Sequence, residues 1–363
     1  VIRFVARLPQ LRRFDEPIAP DVQATLDLAD AQVPDLTDTL ESTLMGLGDD
    51  VDDGDLTDAV QSHDINAALD AIAWEDFTST VLEAAREVLA DVIPAAGDVA
   101  ARALYQQLRA QLTLLPPPPP RAPKVTGLSS PEPVGRFVAR FDLVNPQSLA
   151  WIDGSAGELV REITEDTRST IRMLMRRAFQ DGVTPAETAR LLRATIGLTD
   201  RGANAVYNYR AWLAGKGTDP LAGLSQTDIE RLLRGGMRRN QIPRLQRTGL
   251  SADRIDQLVD GYRRRLIRER AETIARTELL GAANQGTWLL WSQAVDQGLL
   301  PKLARKVWID TGDGRTCDGC RAAAGQVVPW DQPFSTMYGP VMMPPGHPRC
   351  RCTAGITNGE ADS

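Results

Sequence analysis

Long apolar runs are missing from this chain. No stretch approaches 18 residues, so no membrane-spanning helix is expected. Val1-Ile2-Arg3-Phe4-Val5 leads into charged residues rather than a signal-peptide core, and synthesis in the cytoplasm is the expectation. Histidine is nearly absent, with two residues in 363, and aromatics make up only 5%. The strings that mark common hydrolytic and phosphate chemistry are lacking too. No His-x-Glu accompanies the cysteines, as a zinc deaminase would require, and neither His-Glu-x-x-His nor a Walker-type glycine loop occurs. Cysteine is scarce, four in all, and in a reducing compartment so few thiols bind metal or stay reduced more often than they pair.

What is present is helix-forming. Ala, Leu and Arg dominate between the loops and charged residues reach 25%, the composition of a helix-rich soluble protein. The length exceeds the usual single core, and two or three domains are expected. The net charge of -7 hides two opposed blocks. Residues 1–115 hold about 22 acidic and about 7 basic side chains, whereas 161–276 hold about 23 basic and about 14 acidic. The acidic block argues against nucleic-acid binding by the N-terminal part. The basic block suits phosphates or an acidic protein surface equally.

Pro116 through Pro120, with Pro123, Pro131 and Pro133, forms a semi-rigid spacer. The expected segmentation is an acidic helical domain at 1–115, a linker at 116–135, a basic helical domain at 136–295 and a small α+β cap at 296–363. Before the spacer, helical periodicity covers Trp74 to Ala90 and, after Pro94 and Gly97, Val99 to Leu115. Beyond it, one helix face runs from Val160 to Ala178 and stops at Asp181-Gly182, and Thr184-Pro185-Ala186-Glu187 opens the next helix. Helices follow over Ala203–Leu213 and Ser225–Leu233. The longest starts after Ser251, reaches Trp291, and carries Arg263, Arg264, Arg265, Arg268 and Arg270 at its middle. After Gly298 the period changes: 306–310 and 326–329 read as strands, and 334–345 as a Pro/Met-rich loop.

Two weaker patterns carry little. Gly48 to Asp55 is acidic, yet Val51 and Val60 fall where a calcium loop needs oxygen ligands, so a solvated loop is the better reading. Arg-Phe-Val-Ala-Arg occurs at 3–7 and at 136–140, too short an echo to define a repeat.

All four cysteines sit near the C-terminus, in Cys317-Asp-Gly-Cys320 and His347-Pro-Arg-Cys350-Arg-Cys352. Two soft thiolates two residues apart, with an imidazole and two more thiols thirty residues on, suit a tetrahedral zinc ion. Five candidates compete for four places, either all four cysteines or His347 with three of them. A filled tetrahedron leaves no seat for water, so a structural ion is implied and no catalytic residue is assigned. A Cys/His nucleophile pair is the alternative use of the same residues.

Several strings together resemble the phage Mu F-like head morphogenesis, or minor capsid, family. They are Ala275-Arg276-Thr277-Glu278, Ala283-Asn284-Gln285-Gly286, Trp308-Ile309-Asp310, Asp313 through Cys320, Gly325-Gln326-Val327 and Pro345 through Cys352. The similarity runs from about Ile163 to Ala354. It implies a non-enzymatic virion component of tailed bacteriophages, found in the head interior or at the portal vertex after assembly in the host cytoplasm. Implied partners are the portal protein, and with it the major capsid protein and packaged double-stranded DNA. The rivals are a virion-carried enzyme or effector using the Cys/His cluster or Glu278, and a DNA-binding zinc protein. Arg276 and Glu278 are expected to pair with charges of the cap.

Overall fold

The computed structural model describes residues 20–114, 146–215, 226–234, 237–242, 251–296, 300 and 304–357. The proline spacer, both copies of Arg-Phe-Val-Ala-Arg and the Ser225 cap lie outside the described residues. The chain is mainly helical with a small α+β region at its C-terminal end. Four helices are long: α1 (Val22–Asp49), α4 (Trp74–Leu114), α5 (Pro146–Gln180) and α9 (Ala252–Asp296). Between them come α2 (Asp53–Gln61), α3 (Ile65–Asp70), α6 (Pro185–Arg193), α7 (Asp200–Gly215), α8 (Gln226–Arg234) and a 3-10 turn at Arg239–Gln241. No described helix is long and apolar enough to cross a membrane.

Contacts divide the chain into two compact units. Unit 1 is Val1–Pro34, Arg86–Asp153 and Thr273–Ser363; unit 2 is Asp35–Ala85 and Gly154–Glu272. Each long helix therefore contributes a segment to both.

In unit 1, α4 is one helix where the sequence suggests two, and Pro94 lies inside it. An interior proline costs about 3 kcal/mol. Leu89, Val92, Ile93, Ala96, Ala100 and Leu104 around it are all buried, and each large apolar side chain returns about 1.5–3 kcal/mol. Packing thus overrides the local break. On α9, Gly286 lets the backbone come against α4, where any Cβ would collide with the Ile93 carbonyl oxygen.

The C-terminal part of unit 1 holds β1 (Arg305–Ile309), α10 (Asp318–Ala323), β2 (Val327–Pro329), β3 (Phe334–Thr336), β4 (Gly339–Val341) and β5 (Thr353–Thr357). Strand β1 pairs antiparallel with β2 and β5, giving the order β2-β1-β5. The Pro/Met-rich segment is not a plain loop. It contains the hairpin β3–β4, turning at Met337-Tyr338, with Gly339 at φ 112°. Strands of three residues are too short to show alternation, which is why periodicity misses them. Trp308, Phe334, Cys320, Cys350, Cys352 and Ala354 form the core of this cap.

In unit 2, helix ends follow the local chemistry. Gly182 adopts φ 68° and the Val183 amide donates to the Ala178 carbonyl at 3.0 Å, closing α5. Thr184 caps α6 by accepting from the Glu187 amide at 3.3 Å. The Glu187 carboxylate does not return the bond; it binds Arg210 Nε at 3.0 Å. In the acidic 48–55 segment, Asp52 caps α2 through the Gly54 and Asp55 amides while Val51 is buried. His63 stacks on Phe179 with ring centres 4.4 Å apart.

Candidate metal centre

The cysteines reach one place through two tight turns. Cys317 is the N-cap of α10, and its Sγ accepts from the Cys320 amide at 3.4 Å, so one helical turn sets both sulfurs on the same side. Gly319 between them lies under the β3–β4 hairpin, where a Cβ would sit 2.4 Å from Met337 Sδ. The second turn is His347 to Cys350, closed by the Cys350 amide on the His347 carbonyl at 3.1 Å, with Arg349 in the left-handed region at φ 60°. Arg349 is held there by α9: its amide donates to Thr277 Oγ1 at 3.1 Å and its Nε to Thr273 Oγ1 at 2.8 Å.

His347 Nε2 lies 3.3 Å from Cys317 Sγ and 3.1 Å from Cys320 Sγ, and Cys320 Sγ lies 3.7 Å from Cys350 Sγ. Two donor groups result, Cys317–Cys320–His347 and Cys320–Cys350–Cys352, joined at Cys320. All four thiols are free. A sulfur bonded to zinc at about 2.3 Å in a tetrahedron has its neighbouring sulfur about 3.8 Å away, the spacing seen between Cys320 and Cys350. The imidazole is in the right tautomer for such a role. Its Nδ1 lies 2.8 Å from the Pro348 carbonyl, so Nδ1–H donates there and leaves the Nε2 lone pair facing the sulfurs.

The surroundings split the thiols into two kinds. For Cys317, burial opposes ionisation, but the Cys320 amide, the Cys320 and Tyr338 side chains and His347 together bring it down to about 7. A bond from the Cys352 thiol, aided by the Gly346 and Cys352 amides, brings Cys350 to about 5 against burial. Cys320 is pushed up to about 12, by burial first and then by the negative charge of Cys350. Cys352 is raised as the donor to Cys350 and by burial. The donor set, with two thiols poised to ionise beside an imidazole, is of the kind that holds zinc.

Residues outside the motif fix the cap to α9. Buried Asn284 donates Nδ2 to the Cys352 carbonyl at 3.1 Å and accepts from Thr353 Oγ1 at 2.6 Å. Asp313 takes both Nη atoms of Arg351, at 2.8 and 2.5 Å, and caps the Arg315 amide at 2.9 Å. Those bonds hold its carboxyl well below the usual range, the Arg351 pair foremost. Lys306 is fully buried, donates to the Met342 carbonyl at 2.7 Å and lies 5.0 Å from the Trp288 ring centre. Asn284 and Asp313 stand inside the quoted strings, but nothing in the sequence says what they bond. Arg276 pairs with Asp30 of α1 at 3.0 Å.

The basic stripe of α9 belongs to unit 2 and is matched there by carboxylates. Arg263 is buried and binds Asp49 at 2.7 Å and the Met45 carbonyl at 3.0 Å. Arg264 meets Asp260 at 2.9 Å, and Arg265 meets Glu269 at 3.2 Å. Arg268 meets Glu41 at 2.5 Å, and Arg270 meets Asp166 at 2.9 Å and the Gly197 carbonyl at 2.9 Å.

The cap is thus a knuckle of soft donors seated on a long helix. Residues 228–355 match the family described as Phage Mu protein F like protein, which supports the resemblance and points to phage head morphogenesis at the level of the family. The matched stretch takes in the whole Cys/His cluster and the part of α9 that holds it. No curated protein and no solved structure is significantly similar to the chain.

Proposed function

We propose that the chain is a minor structural protein of a tailed-phage head, non-enzymatic, whose zinc-held cap docks on the portal. The carrying observation is that the family match and the cap-fixing contacts fall on the same residues: Thr273, Thr277 and Asn284 on α9, and Arg349, Cys352 and Thr353 in the cap. Such an arrangement makes the cluster an element of shape, holding the β3–β4 hairpin in place. Met337, Tyr338 and Met342 there are exposed, the first at 71%, a surface suited to a protein partner. Major capsid protein and packaged duplex DNA are further partners in this reading, with the chain residing in the virion.

The zinc ligands in this reading are Cys317, Cys320, His347 and Cys350. The tautomer of His347 and its approach to two sulfurs support its place, and Cys352 keeps its proton as a donor to Cys350. Coexpression with the portal protein of the same phage, followed by localisation in assembled particles, tests the role. The chain is expected at the portal vertex, and its loss from particles when Met337 and Tyr338 are changed to Ser would be the supporting result. Particles that lack the chain altogether would overturn it.

A delivered enzyme is the second reading, and one observation favours it: Cys317 Sγ and His347 Nε2, at 3.3 Å, also have the spacing of a nucleophile and its base. Rapid alkylation of Cys317 in the zinc-loaded chain at neutral pH would support this reading. Protection of all four thiols would support the structural one.

A further inference from the structure

Unit 2 contains a cleft of about 420 Å³ between α7, α8 and α9. Helix α7 contributes Asn208, Tyr209 and Trp212, α9 contributes Tyr262, and α8 contributes Arg231 and Arg234. The rings form a connected group: Tyr209 stacks on Trp212 at 5.9 Å and leans on Tyr262 at 4.9 Å. The Arg231 guanidinium lies 5.7 Å from the Trp212 ring centre. Among the described residues no carboxylate lines the cleft. The arginines of α9 meet acidic partners inside the unit, whereas the cleft sets two arginines of α8 beside aromatic rings.

Tyr209 is 8% exposed, and its enclosed hydroxyl has no hydrogen-bond partner, so the cleft is offered its ring rather than its oxygen. Burial foremost, then Tyr262, pushes the phenol up to about 12. Asn208 spends its Oδ1 on Arg177 at 2.8 Å, which leaves its amide NH2 as a donor.

The geometry points to a nucleotide site, in which a base stacks on the aromatic group and Arg231 and Arg234 take the phosphate. This inference goes beyond the head-protein reading and does not need it. Three rings with two guanidiniums are the means by which proteins hold unpaired nucleotides, since every base offers a π face and every nucleotide an anion. An acidic peptide would use the arginines but not the rings. Duplex DNA keeps its base faces stacked inside. The shared chemistry is a nucleoside phosphate, supplied either free or as one unit of a single strand.

Calorimetric titration of the intact chain distinguishes the sources and tests the site. The ligands are deoxyadenosine monophosphate, inorganic phosphate, an octathymidylate, a short duplex and an oligoglutamate. Binding of the mononucleotide at least tenfold tighter than phosphate is expected, and R231Q should weaken it about tenfold, as losing a charged hydrogen bond does. W212L should weaken it severalfold, because it removes a ring on which the base stacks, while Y209F should leave binding unchanged. If only the octathymidylate binds, and R231Q and W212L weaken it, the site takes a nucleotide of a strand. Phosphate or oligoglutamate binding as tightly as the nucleotide would overturn the inference. So would no binding at all, or duplex and single strand binding alike with no effect of R231Q.

Discussion

The cap of unit 1 and the arginine stripe of unit 2 handle difficult groups in opposite ways. In unit 2 each arginine of the stripe meets a carboxylate, so charge is balanced on the spot; Arg263, although buried, has Asp49 and a main-chain carbonyl. In the cap, sulfur and imidazole lone pairs face one another within 3.1 to 3.7 Å. Opposite charges gathered together make a closed arrangement. Electron-pair donors gathered together are the ligand set that a shared Lewis acid requires. The same chain therefore has one region stabilised by internal ion pairs and another that, in the proposed reading, couples its stability to metal.

The contrast can be broken at several points. Cys320→Ser should have the largest effect, since Cys320 belongs to both donor groups. Loss of bound zinc and several kcal/mol of stability is expected, because metal affinity is folding free energy in small sites. A chelator should reproduce the loss in the wild-type chain and add little in the variant, as denaturant titration can show.

Arg263→Ala should cost unit 2 about 3 kcal/mol, because it empties a buried site and removes the bonds to Asp49 and the Met45 carbonyl. Zinc content should not change, which separates the two regions. A smaller loss, about 2 kcal/mol, is expected for Asn284→Ala, which strands the Cys352 carbonyl and the Thr353 hydroxyl. Faster hydrogen exchange at the β5 amides is the readout.

The last effect is a pH dependence. Burial lowers Lys306 to about 8, with Asp331 working against the shift, whereas an unfolded lysine titrates near about 10.4. Between those values the unfolded chain binds more protons, so this group adds stability as pH rises through that window and gives it up as pH falls through about 8. Lys306→Met should remove that rise, seen as the difference between the two thermal midpoint curves.

Much of the cap was legible because its chemistry is local. Two-residue spacing at Cys317 and Cys320 gathers the first pair, and the His347 turn the second, although Thr273 and Thr277 of α9 brace that turn from a distance. Helix starts at Thr184 and stops at Gly182 were legible for the same reason. What sequence does not carry is partnership across long separations: Asp49 lies 214 residues from Arg263 and Thr353 lies 69 from Asn284. The basic stripe suits phosphates or an acidic surface on sequence alone because the carboxylates that meet Arg263, Arg268 and Arg270 lie in other segments. Pro94 misled in the other direction, since local propensity signals a break that buried side chains override. Tyr209 and Trp212 gave no motif; only packing unites them with Arg231 of a separate helix.

Zinc stoichiometry of the intact chain, measured by native mass spectrometry alongside His347→Ala and Cys352→Ser, tests the central claim most directly. One zinc per wild-type chain, retained in the Cys352 variant and lost in the His347 variant, is the expected result. A metal-free chain that is fully stable in all three forms would contradict the account.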